Sequence, residues 1–290
     1  MAKNDKNHGR DKAHEHGAEE HHHQHDNEHG HGQHEHAHHE HHHHEHTAGP
    51  VLTVRANSGL SGDMMLAGLA TLTGLGATEL ESLVRELGLP ALEGALKIEP
   101  KSVNHIAGVG CGITLPHEHA HRTLVEIKGI IAESAMPEEA KELAVRAFSI
   151  LGEAEGAVHG KKTDEVTFHE VGALDSILDT CLACRLFTII KPARFVCSPL
   201  PVADGAIHCA HGHVGSPAPA VLRLLEGVPV VPFDGVGETV TPTAVSLLKA
   251  LGAEFGKWPA MTVTKSVISY GSKVFQDVPN GAVWVLGTNR

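Results

Sequence analysis

Histidine is concentrated near the amino-terminal end of the chain, where its pattern favours metal binding. Residues 1–46 contain 18 of the 27 histidines, in runs such as His21-His22-His23 that acidic residues interrupt. Imidazole nitrogens suit nickel, copper, zinc and cobalt, and several of them on one flexible segment can close on a single ion. An expression tag is the alternative interpretation, but a tag is usually an uninterrupted hexahistidine. We therefore predict a natural metal-binding tail.

The same segment cannot contribute to a hydrophobic core. Residues 1–46 contain no Val, Ile, Leu, Phe, Trp or Tyr. Since no burial of large apolar side chains offsets the entropy lost on ordering, we predict disorder. Gly49 and Pro50 mark the boundary. We therefore divide the chain into a disordered His-rich metal-binding tail, residues 1–48, and a folded domain, residues 49–290.

Three alternating histidines form a second candidate metal site. His117, His119 and His121 belong to the polar loop that runs from Pro116 to His121. Successive side chains of a strict strand point to opposite sides, whereas those of a loop can converge on one ion. A solvated turn explains this pattern equally well when it is taken alone. The histidine tail in the same chain favours the metal-binding interpretation.

A third cluster of polar residues begins a predicted helix. His169 and Glu170 precede a glycine, and Asp175 and Asp179 follow one helical turn apart, so their two carboxylates are expected to share a face of the helix. A single His or Asp before a helix is most often a cap. Four such residues within eleven positions indicate a metal-linked or phosphate-linked site.

A fourth group of candidate ligands lies in the segment from Pro199 to Pro219, which we predict to be a long loop. It contains His208, Cys209, His211 and His213. Their close spacing allows them to share an ion, although each one alone is more simply a loop residue without a partner. We predict that the three histidines bind metal together.

Two further helix starts carry small polar residues. Thr241 and Thr243 flank a proline, and their hydroxyl groups suit either helix capping or phosphate binding at a helix amino terminus. Ser61, Gly62 and Asp63 follow a strand and a glycine-containing turn, where the next helix begins. We predict that these five residues contact a bound cofactor or its precursor.

The remaining pattern predicts a mixed α/β or α+β fold, with a mixed sheet and helices in one or two subdomains. Helices and strands alternate without a regular βαβ period. An antiparallel hairpin is expected from residues 95–103 and 109–115, and a helix from residues 174–189. Cys181 and Cys184 fall inside that helix, so two packed core thiols are expected in place of a redox motif.

Composition excludes several classes of function. The net charge of -12 divides into -6 for residues 1–46 and -6 for the remainder, and no Lys/Arg-rich run is present. Nucleic acid and anionic membranes are therefore not expected as partners. No stretch of about 18 apolar residues predicts a transmembrane helix. Five cysteines are an odd number, which indicates reduced thiols and a cytoplasmic protein.

Seven short motifs occur in the order found in the LarC family, and the chain is similar to that family from about Val51 to Leu286. The motifs are Ser58–Met64, His121–Leu124, Phe168–Ser176, Ser198–Pro201, Cys209–Gly212, Pro217–Ala220 and Val240–Thr243. LarC proteins insert nickel into a pyridinium bis-thiocarboxylate mononucleotide, which completes the nickel-pincer cofactor of lactate racemase. The resemblance therefore implies a nickel chelatase, a metal insertase of the lyase class. Its partner is the nickel-free cofactor precursor.

The resemblance also implies roles for the candidate residues. The histidines would pass nickel to the precursor: His117, His119, His121, His169, His208, His211 and His213. The catalytic group would consist of His169, Glu170 and Asp175, with His169 or Glu170 as the base that removes a carbon-bound proton. The chain differs from typical members at Arg55, near the usual position of an Asp, and at Asn57, where an aromatic residue is common.

Several alternatives stay open at this point. Typical LarC members continue into a carboxyl-terminal domain to which CTP use, with Mg or Mn, is attributed. This sequence ends at Arg290, so a separate CTP-using subunit is an expected partner, and self-association is a further option. The chain is alternatively a non-catalytic nickel storage or delivery protein that serves such a subunit. Zinc or cobalt homeostasis is a third hypothesis.

Overall fold

The computed structural model describes residues 49–115, 121–168, 171–209 and 212–289. The tail that we predict to be disordered lies outside these ranges. The helices are α1 Gly62–Thr73, α2 Ala77–Arg85, α3 Leu124–Glu133, α4 Glu138–His159, α5 Leu174–Ile190, α6 Pro219–Leu224 and α7 Pro242–Ala250. Within the described ranges, these helices are too short or too polar to cross a membrane.

The strands of the described residues are short or of moderate length. They are β1 Pro50–Ala56, β2 Leu96–Val103, β3 Ile106–Ile113, β4 Arg122–Thr123, β5 Thr167–Phe168, β6 Arg194–Cys197, β7 Leu200–Val202, β8 Ala206–Cys209, β9 Gly212–Gly215, β10 Val230–Pro232, β11 Glu254–Phe255, β12 Met261–Ser269 and β13 Ala282–Asn289. Two short 3-10 helices also occur, at Pro90–Leu92 and Thr163–Glu165.

One sheet organises the fold, with the strand order β11-β6-β1-β13-β12-β3-β2. β1 is parallel to β6 and antiparallel to β13, so the sheet is mixed and the predicted fold class is confirmed. Leu52 and Val54 of β1 are fully buried. The Thr53 hydroxyl is buried as well, and it donates a hydrogen bond of 2.9 Å to the Val196 carbonyl oxygen of β6. β1 is therefore covered on both faces, as expected for a central strand.

A large aromatic side chain sets the distance between helix α1 and the sheet. Trp284 of β13 is fully buried and stacks on Phe195, with ring centroids 6.5 Å apart. A Cβ atom on Gly68 of α1 would lie 2.4 Å from the Trp284 ring, so only glycine allows this close approach. The contact holds α1, and therefore its amino-terminal turn, in a fixed position on the sheet.

Most of the predicted elements are present, with one clear correction. Helix α5 and the antiparallel pair β2 and β3 occur where the sequence predicts them. Cys181 and Cys184 are buried in α5, which confirms the prediction of core thiols, and burial raises the pKa of Cys181 to about 12. The predicted long loop is wrong, because residues 199–219 include the strands β7, β8 and β9. Glycine and proline in that segment end short strands and do not exclude them.

Candidate functional site

Three helix starts converge on one cavity of about 500 Å³. The residues that line it include the first turn of α1, the first two turns of α5 and the first turn of α7. Free backbone N–H groups and the helix dipole give each of these ends a partial positive charge. The partial positive charges of these three helix ends favour an anionic ligand. Acidic side chains line the same cavity.

Backbone hydrogen bonds hold two of these helix starts side by side. Leu60 N–H donates to the Thr239 carbonyl oxygen at 2.9 Å, and Thr241 N–H donates to the Leu60 carbonyl oxygen at 3.1 Å. Gly59 makes the approach possible, because its φ is +126° and a Cβ atom there would lie 1.9 Å from the Thr239 carbonyl oxygen. The turns that precede α1 and α7 thus form one unit.

The cofactor-binding residues predicted from the sequence lie together at this cavity, all in its lining: Ser61, Gly62, Asp63, Thr241 and Thr243. The Ser61 hydroxyl donates a short hydrogen bond to Asp63 Oδ1. Thr241 caps α7, where its side chain accepts a hydrogen bond of 3.3 Å from Ala244 N–H. The structure therefore brings together two segments that are 180 residues apart in sequence (241 minus 61).

Three aspartates line the same cavity, which we call the carboxylate cavity. Asp63 comes from α1, and Asp175 and Asp179 come from α5, one turn apart as the sequence predicts. The Asp179 Oδ1 atom is buried and has no hydrogen-bond partner among the described residues. A Cβ atom on Gly62 would lie 2.9 Å from Asp179 Oδ2. Asp179 therefore faces the first turn of α1 closely, and only a glycine leaves room for it.

Burial and like charge change the acidity of two groups in this cavity. Burial raises the pKa of Asp179 well above its usual value, and the neighbouring charges of Asp63 and Asp175 raise it further. Burial also raises the pKa of the Cys111 thiol, with Asp179 and Asp63 contributing in the same direction. Both neutral forms are favoured because charge is costly in a buried, already acidic environment.

A second cavity, of about 670 Å³, adjoins the first, and we call it the histidine cavity. Its lining includes His159 at the end of α4 and His208 of β8. His159 Nε2 lies 3.5 Å from Glu155 Oε2 on the same helix. Glu238 and Lys273 line both cavities, and Lys273 Nζ donates to the Glu238 carbonyl oxygen at 3.0 Å. These two residues therefore lie where the cavities meet.

The strands β8 and β9 bring two of the predicted metal ligands together. His208 and His213 are directly opposite in the antiparallel pair, and their ring centroids are 4.8 Å apart. Both side chains are exposed. The prediction of a loop was wrong here, but the hairpin still places these two imidazoles next to each other, because opposite residues of an antiparallel pair share one face.

The other predicted ligands are not all described. His117, His119, His169, Glu170 and His211 lie outside the described residues. His121 is described and exposed, and it is not among the residues that line either cavity. Within the described ranges, no group of three or more His, Cys, Asp or Glu side chains is placed to hold a metal ion.

Sequence reasoning missed three residues of these cavities. Cys111 on β3 and Lys273 near the carboxyl-terminal end line the carboxylate cavity, and His159 lines the histidine cavity. Cys111 and Lys273 are isolated in the sequence, without another candidate residue nearby. His159 has a detectable signal, because Glu155 lies four residues earlier, the spacing of one helical turn.

Arg55 occupies a different environment from the cavities. Its Nη1 donates to the Gly256 carbonyl oxygen at 2.9 Å, and its guanidinium lies 5.6 Å from the Trp258 ring centroid. Arg55 is not among the residues that line the carboxylate cavity. The arginine is therefore held by a backbone carbonyl and an aromatic ring, which gives it a packing role at the end of β1.

Comparison with known proteins gives a consistent result. The model of a family described as nickel insertion protein matches residues 52–289. A protein from Syntrophotalea carbinolica, whose name proposes nickel insertion, is 41% identical over 234 residues, which cover 80% of this chain and 58% of the relative. A pyridinium-3,5-bisthiocarboxylic acid mononucleotide nickel insertion protein from Staphylococcus epidermidis is 34% identical over 229 residues, covering 79% of this chain and 57% of the relative.

These figures also define the extent of the similarity. The chain spans slightly less than three fifths of the length of the curated relatives that it matches, with 57% to 59% of each relative covered. No solved structure matches the chain. The geometry of the two cavities is therefore known from this chain alone. The relatives contribute only the functions that their names state.

Proposed function

Since the chain belongs to the family of nickel insertion proteins, we propose that it inserts nickel(II) into a pyridinium-3,5-bisthiocarboxylic acid mononucleotide. That compound is the one in the name of the Staphylococcus epidermidis relative. The observation that carries the proposal is the convergence of three helix starts on the carboxylate cavity, next to a cavity with histidine. One cavity suits a nucleotide-like precursor, and the other suits the metal.

The charges of the carboxylate cavity match the two ends of such a precursor. Its single phosphate group would lie against the starts of α1 and α7, where backbone N–H groups and the hydroxyls of Ser61, Thr241 and Thr243 are available. Its pyridinium nitrogen would lie towards Asp63 and Asp175, and the two thiocarboxylate groups on the ring would lie towards the nickel(II) that they bind. A cavity of about 500 Å³ is within the usual size for a small-molecule site.

Nickel would reach the precursor through the histidine cavity. The exposed pair His208 and His213 is the entry point, and His159 with Glu155 is the next pair of donors towards the carboxylate cavity. Two imidazoles bind nickel with lower affinity than a closed set of four ligands does. Such a weak site can surrender the ion to the sulfur atoms of the precursor.

The catalytic residues predicted from the sequence remain part of this proposal. Asp175 lines the carboxylate cavity. His169 and Glu170 lie outside the described residues, and their catalytic role is proposed from the sequence pattern alone. The four other histidines of the predicted ligand set, including His211, stay candidate nickel ligands on the sequence pattern alone.

The carboxylate cavity does not fit CTP. Among the described residues that line it, Lys273 is the only basic one, and the lining also includes Asp63, Asp175, Asp179 and Glu238. One basic side chain in this acidic lining offers little to neutralise a triphosphate. We therefore derive no step through CTP in this cavity, and we propose that CTP with Mg or Mn, where it is required, acts at another domain or at a separate subunit.

The purified full chain tests this function directly. It is mixed with nickel(II) and the pyridinium-3,5-bisthiocarboxylic acid mononucleotide, with and without CTP and Mg or Mn, and the nickel-containing product is measured by mass spectrometry. We expect product from the wild type and none from the variant that combines His169→Ala, Glu170→Ala and Asp175→Ala. The variant Asp204→Asn, which changes an exposed residue, is the control. Full activity of the triple variant would remove these residues from the site.

Nickel storage or delivery is the second candidate, and it is favoured by the 18 histidines of residues 1–46. In that case the chain binds nickel but makes product only after a CTP-using polypeptide is added. Competition between nickel, zinc and cobalt in the same assay tests the third hypothesis, that of zinc or cobalt homeostasis. A cytoplasmic location and self-association remain predictions from the sequence.

A further inference from the structure

We infer that Asp179 is the catalytic residue that accepts the carbon-bound proton when the precursor is metallated. This inference rests on the proposed function, and it names a residue of α5 in place of His169 or Glu170, the bases predicted from the sequence. Asp179 lines the carboxylate cavity, where its Oδ1 atom is buried without a hydrogen-bond partner among the described residues. One oxygen atom of this carboxyl group therefore has no partner among the described residues, although the side chain lies at the cavity.

The reaction balances with this one residue as the acceptor. The ring C–H bond breaks, and its electron pair forms the carbon–nickel bond with nickel(II). The proton moves to Asp179, which changes from carboxylate to carboxylic acid and later releases the proton to water. Neither carbon nor nickel needs an external oxidant or reductant, because the step exchanges a proton for a metal cation.

The neighbouring aspartates are less suited to this task. Asp63 Oδ1 accepts a hydrogen bond from the Ser61 hydroxyl and lies in the first turn of α1, where the helix dipole stabilises its charge. Asp175 Oδ1 accepts a hydrogen bond of 2.7 Å from Ser176 N–H and is exposed. Each of these two carboxylates therefore already uses one oxygen atom in a hydrogen bond within the protein. Asp179 has neither kind of support.

The surroundings of Asp179 oppose its ionised form in the absence of a ligand. Burial raises its pKa, and Asp63 and Asp175 contribute in the same direction. The other titratable groups in the lining are Cys111 from β3, and Glu238 and Lys273 from the two loops beside α7 and β12. Nickel(II) held by the sulfur atoms of the precursor adds positive charge near Asp179, which favours its ionised, proton-accepting form. Two carboxylates with such different environments are the usual arrangement for an acid–base pair.

The isosteric variant Asp179→Asn tests the inference in the full chain. The rate of nickel insertion is measured in single turnover, with precursor that carries hydrogen or deuterium at the carbon that bonds nickel. We expect the rate to fall by about 100-fold or more, the usual contribution of a general base, while precursor affinity stays close to that of the wild type. The surface variant Asp164→Asn is the matched control and should retain the wild-type rate and isotope effect.

A second variant keeps the test decisive if the first one folds poorly. Asp179→Ala removes the carboxyl group and leaves a small space, so added formate should restore part of the insertion rate, and the restored reaction should show the deuterium isotope effect. A merely structural role for Asp179 predicts no response to formate. Absence of rescue, or an Asp179→Asn rate within about twofold of the wild type, would overturn the inference.

The outcome for the wild type separates this inference from the function on which it rests. If the wild type makes product and Asp179→Asn makes it equally fast, only the role of Asp179 is wrong. If the wild type makes no product under any of the conditions given above, including those with CTP, both fail together. Loss of insertion that is fully explained by loss of precursor affinity also excludes Asp179 as the proton acceptor.

Discussion

The two cavities are built in different ways, although they share a wall. The carboxylate cavity is formed by the starts of α1, α5 and α7, and the Oδ1 atom of Asp179 in its lining is buried. The histidine cavity is closed on one side by the hairpin of β8 and β9, which forms a two-stranded sheet of its own. His208 lines this cavity and lies opposite His213 in the hairpin, and both of these side chains are exposed. One site is therefore framed by helix starts, and the other carries an exposed imidazole pair on a small hairpin.

This difference matches the two tasks that nickel insertion requires. A precursor has to be held in one orientation so that a single carbon atom meets the metal, and rigid helix starts provide this accuracy. A transferred ion has to be bound and then released, which a weak and adaptable pair of imidazoles allows. A two-stranded hairpin is only marginally stable by itself, so it can change its geometry at little cost.

The largest effect is expected from a change that separates the two helix starts of the carboxylate cavity, Gly59→Ala. The added methyl group would lie 1.9 Å from the Thr239 carbonyl oxygen at a residue with φ of +126°. Steric overlap and backbone strain together should lower the free energy of unfolding by about 3 kcal/mol or more. We expect precursor binding to be lost, because the starts of α1 and α7 can no longer lie side by side. Chemical denaturation and calorimetry measure both effects.

Gly88→Ala is the control for that variant. Gly88 also has a positive φ, +69°, but a Cβ atom there would have nothing within 4 Å. The substitution should cost only about 1 kcal/mol and leave precursor binding unchanged. Equal losses in the two variants would mean that the close approach of the two turns does not build the carboxylate cavity.

The next effect concerns the histidine cavity alone. His208→Ala and His213→Ala each remove one of two imidazoles whose centroids are 4.8 Å apart. With nickel as the limiting substrate of the full chain, we expect the KM for nickel to rise about tenfold, which corresponds to about 1.4 kcal/mol. The value of kcat and the precursor affinity should not change, because the carboxylate cavity stays intact.

His105→Asn is the matched control, since it removes an exposed histidine in the turn between β2 and β3. Asparagine tolerates the positive φ of 63° at this residue. A rise in KM that is the same for all three variants would show that histidine content, and not the β8–β9 pair, determines nickel capture. A fall in kcat for His208→Ala would contradict the separation of the two cavities.

The carboxylate cavity could be predicted from the sequence to a large extent. Helix starts have local signals, so Ser61, Asp63 and Thr241 were recognised, and the spacing of Asp175 and Asp179 placed both carboxylates on one helix face. The contact between the turn before α1 and the turn before α7 could not be predicted. It depends on hydrogen bonds between Leu60 and the turn before α7, and no local pattern encodes a contact of that sequence separation.

The histidine cavity was less accessible to sequence reasoning. His208 and His213 were identified as a group, but their segment was interpreted as a loop because glycine and proline are frequent in it. Their pairing depends on the register of β8 and β9. Strands of four residues carry too little sequence pattern to predict that register. His159 was missed because a histidine at the end of a helix is normally explained by the helix dipole.

The smallest expected effect distinguishes helix capping from precursor binding at Thr241. Thr241 and Thr123 both cap a helix, with side chains that accept hydrogen bonds of 3.3 Å from Ala244 N–H and 3.2 Å from Glu126 N–H. Replacing either one with alanine should lower the free energy of unfolding by about 1 kcal/mol. Only Thr241→Ala should also weaken precursor binding, by about fivefold, because only Thr241 lines the carboxylate cavity. Calorimetric titration with the precursor measures this difference, and Thr241→Ser, which keeps the hydroxyl group, should restore both quantities. If the two alanine variants bind the precursor equally well, the start of α7 serves folding alone, and the phosphate site must be sought at α1.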